Sequence, residues 1–198
     1  GINELLINAA QSGKRAVRLK GGDPFVYGRG GEEIEALQAA GIPYQVVPGV
    51  TAANAAACYS GIPLTHRDLA QSIKFVTGFI KDGAQNNDFE QLLNADETIV
   101  FYMGLHALER LTTGMMEAGR DPETPIAIVA HASLPSQQVL RGTLANIVAL
   151  QNEAQLTSPA LMIVGRVASL HDTLAWFGKD GRAVDMESDQ QAHALNMV

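Results

Sequence analysis

Hydrophobic and polar positions follow two different periods along the first 70 residues, and these periods predict three helices and two strands. Apolar side chains recur at helical spacing over residues 2–11, 31–40 and 51–59. Two short apolar runs, at residues 16–19 and 44–47, separate these segments and are typical of strands. This part of the chain is therefore expected to alternate helices with strands.

The same alternation resumes at residue 71 and continues to Phe177. Short apolar runs predict five strands, at residues 73–77, 98–103, 125–130, 138–141 and 160–164. Helical spacing predicts four helices, at residues 89–93, 105–118, 144–153 and 168–177. Strands that alternate with helices indicate an α/β fold, with a sheet that is mixed rather than purely parallel.

Changes in composition divide the chain into three segments. We place a domain boundary near Ala70, at the end of a polar connector without clear periodicity. Residues 1–70 and 71–177 are then two domains. Residues 178–198 are polar and have no apolar period, which predicts a mobile tail.

The overall composition argues against several classes of protein. A net charge of −7 disfavours general nucleic-acid binding. No apolar run of the sequence approaches the roughly 18 residues of a membrane span. Cys58 is the only cysteine, and the histidines lack ligand spacing, so neither an intrachain disulfide nor a metal site is predicted. With no secretory signal visible at the start, these features favour the cytoplasm.

A glycine-rich segment at residues 17–33 is the first candidate for ligand binding. The run Gly21-Gly22-Asp23-Pro24 lies between a predicted strand and a predicted helix. Such a loop can bring backbone amides and one carboxylate close to a small ligand, and a tight turn without a ligand is the alternative. The window from residue 14 to 29 carries a local charge of +4, which suits either a solvated strand edge or a site for a polyanionic small molecule. Its cations are Lys14, Arg15, Arg18, Lys20 and Arg29.

Several motifs together resemble those of the uroporphyrinogen-III C-methyltransferases. They lie at residues 17–33, 41–43, 47–53, 61–68, 101–105 and 164–167, and the likeness spans residues 3 to 177. Their order and spacing are most similar to the methyltransferase module of bifunctional siroheme synthases. The resemblance implies the two-domain tetrapyrrole methylase fold, in which each domain is a mixed sheet with flanking helices. It also implies that the first domain is incomplete here, because the family's opening strand, loop and helix are not present.

The same resemblance implies an activity. Members of the family transfer two methyl groups from S-adenosyl-L-methionine to uroporphyrinogen III, which gives precorrin-2 in siroheme and cobalamin biosynthesis. In-line methyl transfer depends largely on positioning, with a ring proton removed afterwards. The family's proposed proton donor and acceptor lie in the part not seen here, so no catalytic residue is assigned.

Site residues are carried over by motif only. The cofactor contacts implied in the first half are Gly21, Gly22, Asp23, Val26, Thr51 and Ala52. Those implied in the second half are Met103 and Ala132, although siroheme synthases commonly have glycine where Ala132 stands. Plain turn residues, a helix cap at Thr51 and a core position for Met103 are the alternatives.

The substrate carries eight carboxylates, so its site needs cations. Arg29 and Arg67 are the candidates, because arginine suits bidentate binding of carboxylates. His66 is interpreted as a loop histidine bonded to backbone. A homodimer is expected from the resemblance, and from apolar strands at 98–103 and 125–130 that a domain of about 105 residues cannot easily cover alone.

Two other functions stay open at this point. One is a tetrapyrrole methylase that acts on a later corrin precursor. The other is a module that binds the cofactor without turnover, since the acid and base region is not seen. A turnover assay beside a binding assay separates these possibilities.

Overall fold

A computed structural model describes residues 1–78 and 89–178. The chain forms two compact units, Gly1–Ala52 and Ala53–Val198. The predicted domain boundary at Ala70 stays a prediction, and the predicted tail falls outside the described residues apart from Gly178. No helix among the described residues is long and apolar enough to cross a membrane.

The first unit contains two of the predicted helices. Helix α1 spans Ile2–Gln11 and helix α2 spans Gly30–Ala39. Glu32 and Glu33 lie in the first turn of α2, where their negative charge complements the positive end of the helix dipole. The third predicted helix, α3, spans Ala52–Ser60.

The two strands predicted in this unit are wrong. Residues 16–19 and 44–47 pair with no neighbouring strand among residues 1–78 and 89–178. Val17 is 81% exposed and Leu19 is 83% exposed. An apolar run supplies the right side chains, but a strand also requires a hydrogen-bonded neighbour, which local sequence cannot provide.

The second unit is built on a five-stranded mixed sheet, as predicted. Its strands are β1 (Ser72–Thr77), β2 (Glu97–Tyr102), β3 (Pro125–Ala130), β4 (Gln138–Thr143) and β5 (Ala160–Val164). They lie in the order β1-β2-β5-β3-β4, with β1 parallel to β2 and every other pair antiparallel. Phe101 of β2 and Ile128 of β3 both lie opposite Met162 of β5. The carboxyl ends of β1, β2 and β3 therefore meet at one edge of the sheet.

Helices α4 (Leu108–Glu117), α5 (Ile147–Ala154) and α6 (His171–Leu174) accompany the sheet, with 3₁₀ turns at Phe89–Leu92, Leu105–Ala107 and Arg166–Leu170. Helix α5 begins three residues later than predicted, because the Asn146 side chain accepts a hydrogen bond of 2.8 Å from the Thr143 amide and closes a turn first. The predicted last helix is shorter than expected, since α6 ends at Leu174 and Ala175 is extended.

The core of the second unit is largely apolar and lies against one face of the sheet. Its fully buried members come from β2, β3, β5, α4 and α5: Ile99, Phe101, Leu111, Met115, Ile126, Ile128, Ile147 and Met162. Every residue of β2 and all but the first of β3 are buried within this chain. The argument that these strands need a second copy to cover them is therefore wrong, and the expected homodimer depends on the family resemblance alone.

Candidate functional site

Asp23 joins two loops of the first unit, which we name the glycine loop (residues 20–29) and the Pro-Gly loop (residues 47–52). One carboxylate oxygen of Asp23, Oδ1, accepts hydrogen bonds from the amides of Phe25 at 2.8 Å and Val26 at 3.1 Å. The other oxygen, Oδ2, accepts from the amide of Gly49 at 3.3 Å. The hydrogen bonds from Phe25 and Gly49 hold the pKa of Asp23 below its ordinary value, and the bond from Val26 lowers the pKa by a smaller amount. The carboxylate is thus ionised at neutral pH and fixes the two loops together.

The two loops meet backbone to backbone. A Cβ atom added to Gly49 would lie 2.7 Å from the Gly22 carbonyl oxygen, and one added to Gly22 would lie 3.3 Å from the Val50 carbonyl oxygen. Only glycine permits the approach at position 49. A Cβ atom on Gly21, by contrast, would meet nothing within 4 Å, so the Gly21 backbone faces open space.

The glycine loop then folds back on itself before α2. A Cβ atom on Gly28 or Gly30 would lie within 2.6 Å of the Pro24 carbonyl oxygen, which accepts a hydrogen bond of 2.9 Å from the Gly30 amide. Tyr27 and Arg29 have φ of 53° and 59°, in the left-handed region that side chains disfavour. Such strained positions cluster at ligand sites, because the surrounding structure must stabilise them.

Much of the positive charge predicted for this segment is already neutralised. Lys20 lies 2.7 Å from one Glu33 carboxylate oxygen, and Arg18 lies 3.1 Å from the other. Burial raises the pKa of Glu33, but the hydrogen bonds from Lys20 and Arg18 outweigh it, and the net pKa is lowered. Arg29 is exposed and lies 3.3 Å from Glu32. Sequence reasoning counted only Asp23 against these cations and missed both glutamates.

Arg67 is exposed on the connector that precedes β1. The neighbouring His66 ring accepts a hydrogen bond of 3.2 Å through Nδ1 from the Asp68 amide. His66 is therefore a loop histidine bonded to backbone, as the sequence analysis expected. The substrate-binding roles of Arg29 and Arg67 stay predictions.

In the second unit, Met103 lies where β2 ends. It has φ of 53° and is 54% exposed, so the interpretation of Met103 as a core residue is wrong. The chain is tightly packed here, because a Cβ atom on Gly78 would lie 2.4 Å from the Cα of Gly104. With the backbone held in this way, the Met103 side chain is presented at the carboxyl edge of the sheet.

Ala132 lies at the same edge, in the turn after β3. Its neighbours His131 and Ser133 have φ of 51° and 69°, whereas Ala132 itself has no positive φ. The alanine at position 132 is therefore accommodated without a left-handed backbone conformation. The His131 ring is held between the Ser136 hydroxyl, 3.2 Å from Nδ1, and the Ser158 carbonyl oxygen, 3.3 Å from Nε2.

The structure brings the predicted cofactor residues together in two groups. In the first unit, a Cβ on Gly22 would lie 3.8 Å from both the Thr51 Cα and the Ala52 nitrogen, and Val26 is bonded to Asp23. In the second unit, Met103 and Ala132 share one edge of the sheet. No group of residues that could hold a metal ion occurs in the described part of the chain.

Three further residues were missed by the sequence analysis. Gly49 lies within the motif at residues 47–53, but the sequence analysis assigned no role to it. Tyr102 and Gln137 form long-range hydrogen bonds to α3 that have no local signature.

Comparison with known proteins gives consistent matches. Residues 1–148 match the family model of the Tetrapyrrole (Corrin/Porphyrin) Methylases. The whole chain is 66% identical to a siroheme synthase of Psychrobacter sp. (strain PRwf-1), of which it spans 40%. Among solved structures, it is 43% identical to a uroporphyrin-III-C-methyltransferase from Thermus thermophilus, with a TM-score of 0.74 over 87% of this chain and 74% of that one. A Thermus thermophilus structure of uroporphyrin-III C-methyl transferase complexed with S-adenyl homocysteine is 37% identical, with a TM-score of 0.73 over 85% of this chain and 74% of that one.

Proposed function

This chain belongs to the tetrapyrrole (corrin/porphyrin) methylase family, and from that premise we propose that it is an S-adenosyl-L-methionine-dependent C-methyltransferase. We further propose that it converts uroporphyrinogen III to precorrin-2, as the methyltransferase part of a siroheme synthase. The identity of 66% to such an enzyme supports the proposal, although the chain spans only 40% of that relative. The substrate assignment also has support from the 43% identity to a uroporphyrin-III-C-methyltransferase.

The observation that carries the cofactor assignment is the junction of the glycine loop and the Pro-Gly loop. Backbone atoms are accessible there, since Gly21 has open space where a side chain would be. Asp23 Oδ2 accepts one hydrogen bond, from the Gly49 amide, and its second lone pair can accept from a ligand. A cationic ligand with hydroxyl and amine groups suits this environment.

When bound, S-adenosyl-L-methionine supplies the methyl group. The residues of this chain would bind and orient it. Gly21, Gly22 and Asp23 would hold it through backbone and carboxylate, with Thr51 and Ala52 opposite them. On the family resemblance alone we also propose Met103 and Ala132 as cofactor contacts, with Val26 packed near the cofactor. Such positioning supplies a large part of the rate acceleration in a transfer between two bound reactants.

The test is a binding assay beside a turnover assay on the full-length protein. We expect calorimetry to detect S-adenosylhomocysteine binding, and uroporphyrinogen III to be methylated when S-adenosyl-L-methionine is supplied. Binding without turnover would indicate a cofactor-binding module, and turnover only with a later corrin precursor would indicate a different methylase. A folded protein that does not bind S-adenosylhomocysteine would contradict the proposal altogether.

A further inference from the structure

Both ends of helix α3 are held by buried polar side chains from distant parts of the second unit. Near its start, the Ala53 amide donates a hydrogen bond of 3.1 Å to the Tyr102 hydroxyl. At its end, the Tyr59 carbonyl oxygen accepts a hydrogen bond of 3.0 Å from Gln137 Nε2. Tyr102 is 7% exposed and Gln137 is 2% exposed. Bonds between such desolvated groups restrict the position of the helix.

The Gln137 side chain also holds the turn after β3. Its Oε1 accepts a hydrogen bond of 2.8 Å from the Ser133 amide, while its Nε2 donates to Tyr59. One end of the amide must accept and the other must donate, so neither a carboxylate nor a thioether can replace both bonds. Ser133 directly follows Ala132, which we propose as a cofactor contact.

Tyr102 has the corresponding position at the other end of α3. It is the last residue of β2 and directly precedes Met103, the second proposed contact in this unit. Side chains alternate along a strand, so Tyr102 faces away from the Phe101 core, and its ring lies edge-on to Phe75 with centroids 5.7 Å apart. The hydroxyl serves one of the first helix amides, which lack partners within the helix.

We infer that Tyr102 and Gln137 are positioning residues for the cofactor site. They fix the Met103 turn and the Ala132 turn to a single rigid element, α3, whose Ala53 and Ala56 are fully buried. The inference rests on the proposed function, because it assumes that these two turns contact the cofactor. Loss of either bond lets one turn move relative to the other, which weakens cofactor binding more than it weakens the fold.

The experiment uses the full-length protein with Tyr102→Phe and Gln137→Met, which remove the polar groups at nearly constant volume. Gln151→Met is the matched control, because Gln151 also spans a helix end, with Nε2 2.9 Å from the Leu156 carbonyl oxygen, but lies on α5. S-adenosylhomocysteine affinity is measured by calorimetry, thermal unfolding by fluorescence, and KM and kcat by methyl transfer.

We expect each test variant to weaken S-adenosylhomocysteine binding by about fivefold or more and to raise KM for S-adenosyl-L-methionine, because Tyr102→Phe removes one hydrogen bond and Gln137→Met removes two. The control should stay within about twofold of wild type even if it unfolds at a similarly lowered temperature. If one test variant fails to fold, the other decides the outcome. Gln137→Glu adds a pH profile, since protonation of the new carboxyl at low pH restores a donor toward Tyr59 and should recover affinity relative to wild type at the same pH.

If the wild type binds S-adenosylhomocysteine well and both test variants lose no more affinity than Gln151→Met does, the inference is overturned and the proposed function stays intact. A wild type that does not bind S-adenosylhomocysteine would overturn both.

Discussion

The Gly49→Ala substitution tests whether the contact between the glycine loop and the Pro-Gly loop builds the cofactor site. The added Cβ would lie 2.7 Å from the Gly22 carbonyl oxygen, 3.0 Å from the Gly22 carbonyl carbon and 3.3 Å from the Asp23 Cα. All three are backbone atoms, so no side-chain rotation can relieve the overlap. The loops must separate.

The size of the effect follows from these distances. Ordinary van der Waals contact begins at 3.4 Å, so the loops must move apart by about 0.7 Å. That shift lengthens the hydrogen bond from the Gly49 amide to Asp23, which is already 3.3 Å long. Overpacking of this kind typically costs about 1–3 kcal/mol. Because the loop junction is where the cofactor is proposed to bind, affinity should fall at least about tenfold.

Calorimetric titration with S-adenosylhomocysteine measures the affinity, and denaturant unfolding measures the stability. Gly31→Ala is the matched control, since a Cβ there would meet nothing within 4 Å. Gly31 lies inside α2, where alanine is preferred over glycine by about 1 kcal/mol, so this control should bind normally and be slightly more stable. A Gly49→Ala protein with wild-type affinity and stability would refute the close approach of the two loops.

Three other predictions concern the site, the core and the assembly. Asp23→Ala should weaken S-adenosylhomocysteine binding about tenfold, and calorimetry that shows unchanged affinity would reduce Asp23 to a turn residue. Because hydrogen bonds lower the pKa of Asp23, its contribution to folding stability should be present above the ordinary value of 3.8 and be lost as pH falls through the lower folded-state pKa. Arg120→Met should lower the free energy of unfolding by about 2 kcal/mol, because it leaves the carbonyl oxygens of Leu92 and Asn94 without this buried donor. A loss below about 0.5 kcal/mol in denaturant unfolding would mean that water replaces the arginine. Light scattering should give a homodimer mass for the full-length protein, and a monomer mass at micromolar concentration would exclude an obligate dimer. An obligate dimer should bury more than roughly 2,000 Å² in its interface.

The sequence predicted the second unit well, because its elements have strong local signals. All five strands and the helix that became α4 lie close to their predicted positions. The buried residues 99–102 of β2 and 126–130 of β3 form continuous, largely apolar runs. A strand that is buried on both faces has a continuous apolar run whatever the order of strands in the sheet, so the local pattern is sufficient to identify it as a strand.

The motif residues of the first unit were also visible in the sequence, but their arrangement was not. Glycine at positions 21, 22 and 49 marks three turn residues, and only the folded chain distinguishes Gly21, which faces open space, from Gly49, which faces another backbone. The predicted strands at residues 16–19 and 44–47 failed for a related reason, since a strand depends on a partner elsewhere.

What the sequence determined by itself is the α/β class, the periods of helix and strand, and the motifs that mark the family. What only the tertiary structure decided is which residues support those motifs. Asp23 and Gly49 are 26 positions apart, and Gln137 and Tyr59 are 78 apart. Hydrophobic period reports which face of an element is buried, whereas a hydrogen bond between distant residues exists only once packing has brought a donor and an acceptor within about 3 Å.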